Sequence, residues 1–165
     1  MTLIRTPDVD VADEYRLAMR NVAAAVAVVT TFGPGSRPYG TTVSAFAPLS
    51  MDPPLLLVSL DNASRLLTLV GARQRLGVNV LAAEQMDVGR QFAQRTGDRW
   101  LGVAWRTEAG APALAERHAF VGITVSQRIR AGDHTVLVGE VTAADWSDGS
   151  PLTYWQRGFG TYREV

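Results

Sequence analysis

The chain has 165 residues, of which 47% are hydrophobic and 19% are charged, a balance typical of one globular domain and not of a disordered chain. Its 16 basic residues, all arginine, equal its 16 acidic residues, and this zero net charge argues against a nucleic-acid partner. Cysteine is absent and histidine occurs only at His118 and His134, which excludes disulfides, thiolate catalysis and a metal site built from Cys and His alone.

The first third of the chain predicts one helix followed by strands. Residues 11–22 are predicted as a helix, because apolar side chains recur at helical spacing from Ala12 to Val22 and Asp10 can cap the start. Strands are then predicted over residues 24–31, 39–49 and 55–60, which are separated by turns rich in glycine and proline.

The rest of the chain predicts two short helices and three further strands. The helices cover residues 62–72, capped by Asp61 or Asn62, and residues 82–95. The strands cover residues 76–81, 119–128 and 135–146, and residues 110–117 are predicted as a loop. Six strands separated mostly by turns favour an antiparallel barrel with peripheral helices over a doubly wound sheet.

The apolar segments of the chain are short. Residues 1–15 carry acidic side chains where a signal peptide needs an apolar run. The longest apolar stretch has about eight residues, against the roughly 20 of a membrane-spanning helix. We therefore expect a cytoplasmic protein with no membrane partner.

Common nucleotide and hydrolase motifs are missing from the sequence. No Gly-x-Gly-x-x-Gly follows a predicted strand and no Walker loop occurs, so a bound nucleotide would not be held in the Rossmann manner. There is also no Gly-x-Ser-x-Gly elbow, which argues against hydrolysis by a serine triad.

Three hydroxyls cluster in the strand segment around Thr41, Thr42 and Ser44. Side chains alternate between the two faces of a strand, so Thr42 and Ser44 share one face and Thr41 lies on the other. Two interpretations stay open at this point. The segment is either an edge strand whose hydroxyls contact water or a row of hydroxyls that hydrogen-bonds a flat heterocycle.

Two further segments also have both a structural and a functional interpretation. The hydroxyls of Ser59 and Ser64 precede Arg65 where a strand ends and a helix begins, which suits either an anion site or an ordinary helix cap. Asp133 and His134 follow Gly132 at the start of a strand, which suits either a tight turn or a contact with a bound ring.

A series of short segments occurs in a characteristic order along the chain. They are Ala18-Met-Arg20, Val26-Ala-Val-Val-Thr-Thr31, Gly40-Thr-Thr-Val-Ser-Ala-Phe46, Leu49-Ser-Met-Asp-Pro-Pro-Leu55, Val78-Asn-Val-Leu81, Gln85 with Phe92-Ala93, Gly132-Asp-His134, Gly139-Glu-Val141 and Pro151-Leu152. Taken together, over about residues 12–162, they resemble the flavin reductase family of FMN-binding split barrels.

The resemblance implies a fold, an activity and partners. It implies one mainly β domain over residues 1–165, a six-stranded antiparallel Greek-key split β-barrel. The implied activity is NAD(P)H:flavin oxidoreductase, which reduces FMN or FAD with NADH or NADPH. The implied partners are a second copy in a homodimer and a flavin-dependent monooxygenase that receives the reduced flavin. Alternatives are a flavin-binding module, an oxidase acting on another substrate, and a barrel without flavin.

The resemblance also assigns site residues. His134 is the implied catalytic residue facing the nicotinamide, with Tyr154 and Phe159 on the same side. The implied flavin-binding residues are Thr41, Thr42, Val43, Ser44, Ala45, Phe46, Ser59, Ser64, Arg65, Asn79, Val80, Gln85 and Phe92. The chain departs from the family pattern at Ala45, where a serine is common, and in the tail around Arg157, where tyrosine is common.

Overall fold

The computed structural model describes residues 10–164 of the chain. Its helices are α1 (Val11–Met19), α2 (Arg65–Leu69) and α3 (Met86–Ala93). Its strands are β1 (Ala24–Ala25), β2 (Ala27–Phe32), β3 (Pro38–Val43), β4 (Phe46–Met51), β5 (Pro54–Asp61), β6 (Arg75–Val80), β7 (Trp105–Glu108), β8 (Ala111–Leu114), β9 (Ala119–Ala131), β10 (His134–Trp146), β11 (Leu152–Trp155) and β12 (Gly158–Thr161).

Seven strands form one antiparallel sheet in the order β3-β2-β6-β9-β10-β5-β4. The edge strands β3 and β4 are joined in sequence by only Ser44 and Ala45. The sheet must therefore curl until its edges meet at this link, where the Ser59 N–H donates to the Ala45 carbonyl at 2.8 Å. This open, curled sheet confirms the predicted split barrel, although the predicted strand 39–49 is broken into β3 and β4 at the link.

The barrel interior is filled by the inward-facing side chains of its strands. On β5 these are Leu56, Val58 and Leu60, which alternate with more exposed neighbours and are at most 7% exposed. Leu66 and Leu67 of α2 pack into the same core cluster. The short helix α2 therefore closes one part of the barrel instead of lying on its surface.

The prediction of a loop over residues 110–117 is wrong. Residues 111–114 form β8, pair with β7 and are all buried. The Thr30 hydroxyl donates to the Pro112 carbonyl, and the Leu114 N–H donates to Asn79 Oδ1 at 2.8 Å. These partners are distant in sequence, so nothing within Ala-Pro-Ala-Leu itself identifies it as a strand.

The predicted helices are shorter in the structure. The helix predicted over residues 82–95 begins as a 3₁₀ turn at Ala83–Gln85 before α3. Of the helix predicted over residues 62–72, only the short helix α2 forms. The N-cap residue of α2 is Ser64, not Asp61 or Asn62 as predicted. The Asp61 carboxylate instead accepts from the Ala63 N–H at 2.7 Å.

The N-terminal helix starts as predicted but does not pack into the core. Asp10 caps α1 by accepting from the Ala12 N–H at 3.0 Å. No residue of α1 is buried, so its apolar side chains contact no core of this chain. Residues 1–9 of the N-terminal segment 1–15, which carries acidic side chains, lie outside the described residues.

The aromatic tail forms a hairpin that sequence patterning left unassigned. Strands β11 and β12 pair with each other, and β11 also pairs with β1.

Within residues 10–164, no helix is long and apolar enough to cross a membrane.

Asn79 is expected to matter for stability. Its side chain is fully buried, and its amide donates to the Val28 carbonyl at 3.0 Å and the Thr30 hydroxyl at 3.3 Å while accepting from Leu114. Asn79→Ala leaves buried groups without partners and should lower the free energy of unfolding by about 2–4 kcal/mol, measured by urea denaturation. The exposed control Gln127→Ala should change it by less than about 0.5 kcal/mol. Equal small effects would contradict this role.

Candidate flavin and nucleotide site

The link between β3 and β4 is an exposed corner with free hydrogen-bonding groups. Ser44 and Ala45 are both exposed. Within the described residues, neither of their backbone N–H groups has an acceptor. A flat heterocycle with acceptor atoms on its edge would find donors here without disturbing the sheet.

A cleft of about 510 Å³ lies beside this corner, and we call it the hairpin cleft. It is lined by Val26, Thr42, Val43, Ser44, Arg90, Ala93, Gln94, Tyr154, Arg157, Gly158 and Phe159. The Tyr154 and Phe159 rings meet edge to face with centroids 5.3 Å apart, and the Arg90 guanidinium lies over Phe159. The cleft thus combines aromatic and apolar faces with the hydroxyls of the corner.

A second cleft of about 730 Å³ also adjoins the corner, and we call it the helix cleft. Its lining includes Ser44, Ala45 and Asp133, together with α1 and the turn of the β11–β12 hairpin. Ser44, Tyr154 and Arg157 line both clefts. The two clefts therefore share a common wall, and both volumes are in the range of cofactor pockets.

Thr42 is held in place by α3. Its hydroxyl donates to the Gly89 carbonyl at 2.7 Å, which leaves the oxygen lone pairs to accept from a ligand. A close approach of the same two elements is seen at Gly40, where a Cβ atom would lie 2.6 Å from the Phe92 ring. Glycine at this position lets α3 dock against β3 and form one wall of the hairpin cleft.

Three further residues of the predicted flavin site lie on β3, β4 and β5, outside the hairpin and helix clefts. Thr41 is half-buried on β3 opposite Val29, and Phe46 packs against the barrel core. Ser59 is half-buried on β5 next to Ala45. Thr41, Phe46 and Ser59 do not line the hairpin or helix cleft.

A third cleft of about 480 Å³, the arginine cleft, adjoins the start of α2. Its lining is Arg37, Pro38, Tyr39, Gly40, Arg65, Leu66, Arg95, Gly97, Asp98, Arg99 and Trp100. Arg65 lies over the Tyr39 ring, 5.2 Å from its centroid, next to the half-buried Ser64. Burial lowers the pKa of Arg99, and the positive charge of Arg65 lowers it further.

Four residues of the predicted flavin site are used inside the protein. Asn79 and Phe92 are both 0% exposed. Gln85 accepts from the Ala82 N–H at 2.8 Å and donates to the Glu116 carbonyl at 2.7 Å. Val80 is half-buried and packs against the barrel core. None of these four residues lines the hairpin, helix or arginine cleft. Full burial keeps the Asn79 and Phe92 side chains from facing a ligand, whereas the flavin contacts of the half-buried Val80 and Gln85 stay a prediction.

His134 lies at the start of β10 and is not itself among the residues that line the three clefts. Its Nδ1 is 2.7 Å from the Asp133 carboxylate, and Asp133 lines the helix cleft. This hydrogen bond, together with the positive charge of His134 when protonated, lowers the pKa of Asp133. The Asn62 side chain fixes the turn by donating to the Gly132 carbonyl at 3.1 Å and accepting from Thr135 at 2.7 Å.

Comparison with known proteins identifies the domain. The family model described as "Flavin reductase like domain" matches residues 19–163. The chain belongs to this family. A probable flavin reductase of Rhizobium meliloti is 37% identical over 86% of the chain, which spans only 46% of that longer protein.

For two further similar proteins, the alignment spans most of both chains. The reductase component of a 4-nitrophenol monooxygenase from Rhodococcus opacus is 30% identical over 90% of the chain and 80% of its own length. A solved structure of an NADH:FAD oxidoreductase from Streptomyces globisporus, in complex with NAD and FAD fragments, is 28% identical with a TM-score of 0.86. That alignment covers 96% of this chain and 98% of the other.

Several cleft residues of this flavin reductase-like domain were missed by sequence reasoning. Arg90 lies in α3 and Gln94 is the residue that caps its C-terminus. Arg157 lies in the β11–β12 turn and has a left-handed backbone with φ of 66°. Arg37 and Arg99 join Arg65 in the arginine cleft. Isolated arginines in a chain with 16 of them carry no signal until the fold brings them together.

Proposed function

We propose that this domain reduces FMN or FAD with NADH or NADPH. The observation that carries the proposal is the pair of clefts that share a wall at Ser44, Tyr154 and Arg157. Adjoining clefts of about 510 and 730 Å³ have room for two ring systems in contact at one corner. Family membership supports the same activity.

The residues present suit a flavin ring at the corner. Backbone N–H groups of Ser44 and Ala45 offer donors to the ring edge, and Val43, Tyr154 and Phe159 offer apolar and aromatic faces. When bound, the flavin accepts a hydride from a nicotinamide stacked on it, and such transfer needs position more than acid–base help. The protein's part is to hold the two rings together and exclude water.

A partner that uses reduced flavin is part of the proposal. The similar Rhodococcus protein is named as the reductase component of a monooxygenase, which supports a flavin-dependent monooxygenase as the recipient. We further propose a cytoplasmic location, for which the cysteine-free composition is suited.

Reduction by NADH is the direct test of the proposed activity. The purified protein, loaded with FMN under anaerobic conditions, should lose the visible flavin absorption band when NADH is added. Binding itself should appear as quenched flavin fluorescence with a micromolar-scale dissociation constant, equivalent to roughly 8 kcal/mol. Quenching without loss of the band would instead indicate a flavin-binding module, and no quenching would end the flavin hypothesis.

We also propose a homodimer in which α1 contacts a second copy of the chain. A helix of nine residues is marginal alone in water, yet α1 buries none of its residues against this chain. Its apolar side chains are largely exposed, among them Tyr15 at 66% and Leu17 at 56%. A self-complementary two-fold contact is the commonest way to cover such a surface.

Light scattering tests the dimer. The expected mass is about twice 17.8 kDa, and the double substitution Tyr15→Glu with Leu17→Glu should shift the protein toward monomer by placing charge in the contact. The control Thr107→Glu, on the exposed strand β7, should leave the mass unchanged. A monomeric wild-type protein would refute the proposal.

His134 is proposed to contact the nicotinamide nucleotide. Loss of one such contact in His134→Ala, worth ~1.4–3 kcal/mol, predicts a roughly ten- to hundred-fold lower kcat/KM for NADH, with little change in flavin affinity. Steady-state kinetics and a melting curve on the same variant separate this role from a structural one. A lower melting temperature with intact NADH kinetics would show that His134 only stabilises the turn.

A further inference from the structure

The turn between β11 and β12 has a backbone that its two residues rarely adopt. Trp155 pairs with Gly158 across the hairpin, so the turn consists of Gln156 and Arg157 alone. Both have a left-handed backbone, with φ of 48° and 66°. Two-residue turns of this kind favour Asn-Gly, because other side chains crowd the backbone in this region. Such a turn persists only where surrounding contacts hold it.

Those contacts come from the residues that follow α1. The Gln156 N–H donates to the Arg20 carbonyl at 3.1 Å, and the Gln156 side-chain amide donates to Asn21 Oδ1 at 2.9 Å. The Trp155 Nε1 donates to the Asn21 carbonyl at 3.2 Å. Asn21 also donates from Nδ2 to the Leu17 carbonyl of α1 at 2.9 Å. One asparagine side chain thus bonds both the helix and the turn, and we call the pair Asn21 and Gln156 the latch.

The latch is an attachment outside the core. Within residues 10–164, every hydrogen bond from α1 and residues 20–22 to another segment ends on residue 155 or 156. No residue of α1 is buried. Asn21 is exposed and lines none of the three clefts. Shortening its side chain therefore frees the turn without opening the barrel core or removing a cleft residue.

The turn carries the wall that the two larger clefts share. Tyr154 and Arg157, on either side of the latch, line both the hairpin cleft and the helix cleft. The Tyr154 ring packs edge to face on Phe159 of the opposite strand. A shift of the turn therefore moves the surface between the two proposed ring sites. Displacements of about 1 Å are enough to slow a reaction that depends on alignment.

We propose that Asn21, acting through Gln156, is a positioning residue for the transfer of hydride from NADH to flavin. The inference rests on the proposed function and adds to it a residue that touches neither ring. The step oxidises NADH to NAD⁺ and passes its hydride to the flavin, so no further reactant is needed. The latch keeps Tyr154 and Arg157 where both rings meet.

Steady-state kinetics on matched variants test the positioning role. Asn21→Ala removes the bond to Gln156 and should lower kcat/KM for NADH about three- to ten-fold. Asn21→Asp still offers an oxygen to Gln156 but cannot donate to Leu17, and it should keep most of the wild-type value. The control Glu14→Ala, exposed on α1 and outside all three clefts, should have no effect.

A double substitution checks that the two residues act as one unit. Asn21→Ala combined with Gln156→Ala should lose less than the product of the two single losses, because either change alone already breaks the same bond. Losses that multiply would show that the two side chains act independently. A loss in Asn21→Asp equal to that in Asn21→Ala would show that Asn21 only ends the helix, and either result overturns the proposal.

Hydrogen exchange gives a readout that does not depend on activity. Asn21→Ala should speed amide exchange in residues 152–161 and leave the strands of the barrel unchanged, as followed by mass spectrometry. Unchanged exchange in the hairpin would refute the latch. Faster exchange with wild-type NADH kinetics would show that the latch holds the turn without aligning the reaction, which also overturns the proposal. Failure of the wild-type protein to reduce FMN would instead refute the proposed function, while hydrogen exchange still decides whether the latch exists.

Discussion

The two-residue link between β3 and β4 is the constraint on which the rest of the structure depends. These strands occupy opposite edges of a seven-stranded sheet, and only Ser44 and Ala45 separate them in sequence. The sheet can satisfy this connection only by curling until its edges meet. The Ser59 N–H then reaches the Ala45 carbonyl, while the N–H groups of the two exposed link residues have no acceptor within the described residues.

Curling also determines where the peripheral elements pack. Leu66 and Leu67 of α2 enter the interior, and the buried strand β8 covers β2 and β6 through hydrogen bonds to Thr30 and Asn79. On the outside, the missing side chain of Gly40 lets the Phe92 ring approach β3 closely. The walls of the hairpin cleft are therefore consequences of how the barrel is closed and covered.

Although the net charge of the chain is zero, its arginines differ in their surroundings, and four of them line one cleft. Arg117 is almost fully buried and is stabilised by Glu108 and Asp145, so it contributes to structure. The arginines of the arginine cleft have no such partners within the described residues. Seven other arginines of the described residues also have no carboxylate within 4.0 Å, so the arginines of the arginine cleft differ from them in lying together and not in lacking partners.

The sequence by itself determined the mainly β class, most strands of the barrel and the hydroxyl-rich segment at the corner, because strand periodicity and turn residues are local signals. It misassigned β8, whose burial depends on hydrogen bonds to residues 35 and 82 positions away. Only the tertiary structure decided that Asn79 and Phe92 belong to the interior, and that Arg37, Arg65, Arg95 and Arg99 share one cleft. The physical reason is that burial and charge clustering depend on long-range packing, which no short segment of the sequence records.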